Sequence, residues 1–128
     1  MSEHLSDIKA LIAPLRAAQY NFEEGAVKAA LFALCDGDTV FHHCHPFGDL
    51  IGAEAFYDAS YAPLLHAVPD LERRDWIVMS GSSEHGDDWV GCAGHYTGTF
   101  VAPWLDIAPT GHVVHMRFHE FYRFREGK

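Results

Sequence analysis

Two places in the chain carry the side chains most capable of chemistry: the run His42-His43-Cys44-His45 and a single acid, Glu120, within His112–Phe124 (HVVHMRFHEFYRF). Taken every second residue, one face of the latter stretch holds His112, Val114, Met116, Phe118, Glu120, Tyr122 and Phe124. The other holds Val113, His115, Arg117, His119, Phe121 and Arg123. A mostly apolar face against a mostly polar one predicts a half-buried strand. Glu120 breaks the pattern, because an ionised carboxylate on an apolar face is costly without a partner. Such a carboxyl tends to have its pKa raised, as a general acid or base near neutral pH requires. On that placement Glu120→Gln costs no stability near neutral pH. The plainer readings are a Glu paired with an arginine of a neighbouring strand, Arg117 or Arg123, or a Glu at an exposed strand end.

His43 and His45, two apart, project from one face of a strand, and imidazole with thiolate suits zinc or copper if His95 or Glu120 lies opposite. Against this, His45 precedes a proline, Cys44 points the other way, and no HxxxH or CxxC spacing supports a site. We therefore expect no metal, with Cys44 a small core residue and His45 a hydrogen-bonded group at a pocket rim. Asp49 follows Gly48, a common turn pairing, and is kept as a second candidate acid because loops also carry sites. Trp104, in a loop flanked by prolines, could serve as a lid. Glu72, Arg73, Arg74 and Asp75 alternate in sign and are most simply a solvated strand edge. Nucleophilic catalysis has little support: there is no Gly-x-Ser-x-Gly, and Cys92 lies among glycines without a base partner.

The elements that must position these groups follow from periodicity. Leu5, Ile8, Leu11, Ile12 and Leu15 form a helical stripe that Pro14 kinks or ends. Asn21 with Glu24 has the geometry of a capping box opening a second helix, whose stripe is Val27, Ala30, Leu31 and Leu34. Thr39–Cys44 is a short strand, and the chain turns over His45–Asp49. A third helix runs from about Ala53 to Leu65, with Phe56, Tyr57, Tyr61 and Leu64 packing and Pro63 dividing it. Three long strands follow: Asp70–Ser82, Asp88–Val101 and His112–Phe124. Glycines 91, 94 and 98 in the middle strand imply bulging or strong bending. Helices first and a bent antiparallel meander afterwards is an α+β arrangement, with room for a pocket between the layers.

A chain of 128 residues, 48% hydrophobic and 13% aromatic, is one globular domain with a substantial core. A net charge of −9 makes nucleic acid or an anionic membrane an unfavourable partner. Three cysteines form no disulfide framework and suit a reducing cytoplasm, and the acidic-polar N-terminus is not a signal peptide. No apolar stretch reaches membrane-spanning length.

The residues Gly94–Phe100 (GHYTGTF), the Pro109-Thr110-Gly111 turn, and Glu120-Phe121-Tyr122-Arg123 resemble the SnoaL-like polyketide cyclase family of the NTF2-like superfamily. His45-Pro46, Gly52 and Pro69-Asp70-Leu71 fit the first half of its pattern. The resemblance implies a cone-shaped α+β barrel, with N-terminal helices packed on a strongly bent antiparallel sheet around an apolar pocket. It also implies an acid in that pocket serving ring closure without metal or cofactor. Glu120 matches the acidic position, where Asp is usual. His95 falls one residue before the family's histidine position, here Tyr96, and a one-residue offset in a strand points to the opposite face. The family continues past Gly127-Lys128 with a further strand, so residues 1–128 are read as a single domain lacking it.

The function so implied is a cofactor-independent cyclase or isomerase acting on a small hydrophobic carbonyl compound. Glu120 abstracts the proton, and His45, Tyr96 or His95 stabilises the enolate oxygen. Tyr96, Trp104, Met116, Phe118, Tyr122 and Phe56 form the substrate-binding walls. The alternative is a non-catalytic module holding an apolar small molecule in the same place. Phe121 and Val113, exposed on the polar face, and an uncovered sheet edge point to a homodimer.

Overall fold

The computed structural model describes residues 2–125, and the Gly127-Lys128 end of the resemblance lies outside them. Helix α1 (Ser2–Tyr20) buries Ile8, Ile12 and Leu15, as its stripe requires. It does not end at Pro14. That residue lies on the exposed face, as does Ala10, whose carbonyl loses its amide partner and remains open to water. The continuation matters, because it carries Gln19 into the core.

Helix α2 (Glu24–Leu34) buries Val27 and Leu31. Its cap is Glu23, not Asn21: the Glu23 carboxylate accepts from the amides of Gly25 at 3.1 Å and Ala26 at 2.7 Å. Phe22 is buried, with its amide donating to the Leu71 carbonyl at 3.0 Å, and this anchor sets where the helix begins.

Strand β1 (Val40–His42) pairs antiparallel with β2 (Asp49–Ile51), a strand that the turn expected over His45–Asp49 had concealed. Gly48, at a positive φ of 67°, supplies the reversal between them. Helix α3 (Ala53–Phe56), a single π turn (Tyr57–Tyr61) and α4 (Ala62–Ala67) make one helical run, so Pro63 does not divide it. The widened turn ends at Tyr61, two residues before Pro63, whose ring would clash with the carbonyl four residues back in a straight α-helix. The turn buries Tyr57, Ser60 and Tyr61.

The large sheet has the order β3-β4-β5, from β3 (Glu72–Ser82), β4 (Asp88–Thr99) and β5 (Val113–Phe124), all antiparallel. Among the described residues it is open, with β3 and β5 as its edges. The helices cover one face and bury Phe118 and Phe124 of β5 with Val90, Cys92 and Tyr96 of β4. A bulge between Asp75 and Ile77 reverses the side-chain parity of β3. Arg73 and Asp75 consequently face the helices, whereas Ile77 and Met79 are exposed on the outer face.

Two glycines of GHYTGTF have steric reasons to be glycine. A Cβ at Gly94 would fall on the carbonyl oxygen of Arg74, where the bulged strand closes in. One at Gly98 would strike the Val68 side chain and come within 2.9 Å of Asp70 Oδ1.

Candidate functional site: Glu120 and the arginine behind it

Glu120 points to the helix-covered face of β5, as the alternation predicts, and pairs in register with Cys92. It is not alone. Arg73 Nη1 donates to Glu120 Oε2 at 2.7 Å, and the Arg73 side chain is fully buried while that of Glu120 keeps 23% of its surface. Tyr122 donates its hydroxyl to the same oxygen at 2.6 Å, and Tyr96 reaches Oε1 at 3.3 Å. The partner is thus neither Arg117 nor Arg123, which lie exposed on the outer face.

Arg73 organises the rest. Its Nε and Nη2 donate to Asp75, Nη2 at 3.1 Å from Oδ1, and Arg16 donates to the same acid at 3.0 Å. Nη1 also donates to Gln19 Oε1 at 2.9 Å, and Gln19 Nε2 donates to the Tyr61 hydroxyl at 2.9 Å. The guanidinium lies 4.2 Å from the centre of the Phe118 ring. Burial alone would drive the guanidinium towards neutrality, but Glu120, then the tyrosines and Asp75, hold its pKa above the ordinary arginine value. Burial, and then the charge of Glu120, raise the pKa values of Tyr61, Tyr96 and Tyr122, so all three hydroxyls stay protonated and able to donate.

Reading Glu72–Asp75 as a solvated edge missed this arginine. Counting by twos from the apolar Leu71 would have placed Arg73 and Asp75 on the buried face as an opposite-charge pair. Gln19, hidden beyond Pro14, left no comparable trace.

The other candidates separate. His95 lies on the outer face, its ring 5.1 Å from Trp76 and 5.7 Å from His115, so it cannot share a pocket with Glu120. Asp49 is exposed and bonds His42 Nδ1 at 2.9 Å across the β1–β2 ribbon, away from the network. His45 is exposed in the loop between those strands, and Cys44, expected in the core, is exposed beside it. Among the described residues, no three His, Cys, Asp or Glu side chains converge to hold a metal.

Tyr96 and Phe118 are buried behind Glu120, Tyr122 is half-buried beside it, Met116 is half-buried four residues further along the same face of β5, and Phe56 is stacked on Phe41 at 4.2 Å. Trp104 sits at a tight two-residue turn whose central residues, Leu105 and Asp106, have positive φ, and its buried indole N–H has no hydrogen-bond partner among the described residues. Two surface concavities of about 400 Å³ each, one beside α4 and one beside Gly52, do not involve Glu120.

Helices packed on one face of an antiparallel sheet make an α+β fold of the NTF2-like class, and Glu120, ringed by tyrosines, lies on the helix-covered face. The sequence matches the SnoaL-like polyketide cyclases over residues 15–128, and the chain belongs to that family. A search of curated proteins finds no match. Among solved structures the fold is similar to AclR from Streptomyces galilaeus, provisionally a hydroxylase, with a TM-score of 0.72 and 21% identity over 97% of this chain and 74% of that one. It is similar to IdmH from Streptomyces antibioticus, provisionally a polyketide cyclase, with a TM-score of 0.72 and 20% identity over 94% and 85%. A provisional SnoaL-like polyketide cyclase from Jannaschia Sp. CCS1 gives 0.71 and 18% over 97% and 81%. Among the described residues, no helix is long and apolar enough to cross a membrane.

Proposed function

We propose that the protein is a cofactor-independent cyclase or isomerase acting on a small hydrophobic carbonyl compound, with Glu120 transferring the proton. The observation that carries this is the asymmetry of the ion pair: Arg73 is sealed in the core, while Glu120 remains partly open at the end of the buried network. In the first step a C–H bond next to the substrate carbonyl breaks and its proton passes to Glu120. The electron pair moves onto the carbonyl oxygen as an enolate. The enolate carbon then attacks a second carbonyl of the same molecule, and Glu120 returns its proton to the alkoxide so formed. Tyr96 and Tyr122, kept protonated by burial, supply hydrogen bonds as charge shifts between carboxylate and substrate oxygen. Met116 and Trp104, both packed against the core, are assigned to the apolar wall that holds the substrate.

The test is exchange of the α-hydrogens of β-tetralone, an aryl-fused ketone, for solvent deuterium. Wild-type protein should accelerate it over buffer, and Glu120→Gln should slow it by about 10²–10⁴-fold. No acceleration by the wild type would remove Glu120 as a base for such ketones.

The same ion pair supports a second reading, a non-catalytic module whose Glu120 only balances Arg73. In that case β-tetralone binds but does not exchange. For either reading we propose a homodimer formed through the outer sheet face, on which Trp76, Ile77, Met79 and Phe121 are exposed. We also propose a cytoplasmic setting, with which three free cysteines are in keeping.

A further inference from the structure

The π turn connects Glu120's network to a second polar group that the mechanism above does not use. Tyr61, the last residue of the turn, receives the Gln19 amide that leads to Arg73 and Glu120. Ser60, its neighbour, is 5% exposed, and His43 Nε2 lies 3.1 Å from its hydroxyl. The direction of that bond follows from the other ring nitrogen. The Cys44 amide donates to His43 Nδ1 at 2.9 Å, so Nδ1 carries no proton and Nε2–H is the donor. Ser60 Oγ therefore accepts, and its own O–H has no acceptor among the described residues. A buried hydroxyl held as an acceptor by one partner, with its donor unused, is poised to serve a ligand.

The His43 ring is itself fixed. It packs 4.5 Å from Phe47 and 5.8 Å from Phe56, and Phe56 lies edge-on to Tyr61 at 4.9 Å. Burial pushes the imidazole pKa down, against an upward push from the Glu120 carboxylate, whose charge reaches this ring. Its titratable surroundings are Cys44 on its own loop, 3.4 Å from Nδ1, and Glu120 from the sheet. Tyr57, on the same π turn, is turned to α2, where it lies under Lys28 and feels Glu24 and Asp58.

We propose that the Ser60 hydroxyl, set by His43, donates a hydrogen bond to an oxygen of the substrate in the Glu120 site, an inference that rests on the function proposed above. His43 is the positioning residue: its neutral Nε2–H occupies a Ser60 lone pair and leaves the serine proton for the substrate oxygen that becomes the enolate. The π turn is what allows this, since it brings Ser60 to His43 and Tyr61 to Gln19 within two consecutive residues.

Two probes test it: β-tetralone exchange, and binding of β-naphthol, whose oxygen resembles an enolate and whose fluorescence reports its ionisation. Ser60→Ala should slow exchange by about 10²-fold, the effect of losing one oxyanion donor. It should also weaken naphthol binding by about tenfold, one neutral hydrogen bond, at an unchanged melting temperature. His43→Phe should do the same, and Ser60→Thr, which keeps the hydroxyl, should restore both readouts. If Glu120→Gln abolishes exchange while Ser60→Ala alters neither readout, the Ser60 assignment is overturned and the role of Glu120 stands. If wild-type protein neither exchanges the ketone nor binds the naphthol, both fall together.

Discussion

Arg73 and Glu120 meet at 2.7 Å across the sheet with unequal burial, the guanidinium wholly enclosed and the carboxylate partly open. The cation therefore cannot recruit water if its partner is lost, whereas the anion can. This inequality makes Glu120 at once a stabilising group and an accessible one, and it reverses one expectation drawn from the strand pattern alone.

Glu120→Gln should destabilise the fold, not leave it untouched. Asp75 remains to pair with Arg73, so the loss should be nearer the roughly 1–3 kcal/mol of an unsatisfied buried group than that of a wholly orphaned charge. Arg73→Met, which leaves two acids facing the core, should cost about 3–5 kcal/mol. Urea unfolding of the two single variants and the double variant measures the coupling. A double-variant cost equal to the sum of the singles would mean the pair contributes nothing as a pair.

Gly94→Ala should be far more damaging than Gly91→Ala. At Gly94 the new methyl meets rigid backbone of Arg74 and Asp75, and overpacking of that kind costs about 1–3 kcal/mol or more. At Gly91 it meets the Phe121 ring at 3.0 Å, an exposed side chain free to swing away. Thermal melting of the two variants should separate them clearly, and equal melting temperatures would show that β3 shifts to make room.

Acid should erode stability first through His43. Its folded pKa lies below the ordinary value of 6.5, so the unfolded chain takes up the proton more readily. Stability is then fully present above that value and declines as pH falls from it towards the folded pKa. His43→Gln should flatten the melting-temperature profile in that window and leave the neutral limb unchanged. Asp70 acts lower: hydrogen bonds from the Thr99 amide at 2.7 Å and hydroxyl at 2.8 Å depress its pKa. Its contribution is present above the unfolded carboxyl value and is lost as pH falls through the folded one.

The outer sheet face should associate with a second copy. Phe121, 69% exposed, stands with Trp76, Ile77 and Met79 on one surface, and Phe121→Glu should shift the protein towards monomer in sedimentation. A wild-type monomer at high micromolar concentration would rule this interface out.

A strong chelator should leave the melting temperature unchanged, since His43 is committed to Ser60 and Cys44 and His42 to Asp49. A stoichiometric metal lost together with stability would contradict that assignment.

By itself the sequence determined which side of β5 faces inward, because alternation is local and a strand has only two faces. Period-two alternation alone puts Glu120 among Met116, Phe118 and Tyr122, and local patterning likewise marks the three long strands and the helical stripes of α1 and α2. The resemblance in GHYTGTF held for a related reason: close backbone approach at Gly94 and Gly98 permits no side chain, and that demand is written into residue type. Tertiary structure alone decided the company Glu120 keeps. The Arg73 partner is 47 residues away, and Gln19 reaches it only because α1 continues past Pro14. Ser60 faces His43 because the chain widens into a π turn, and Ile77 and Met79 are exposed because one bulge reverses the parity of β3. Pairings between distant segments, and single-residue shifts in register, depend on how whole elements pack against each other, and no local period records them.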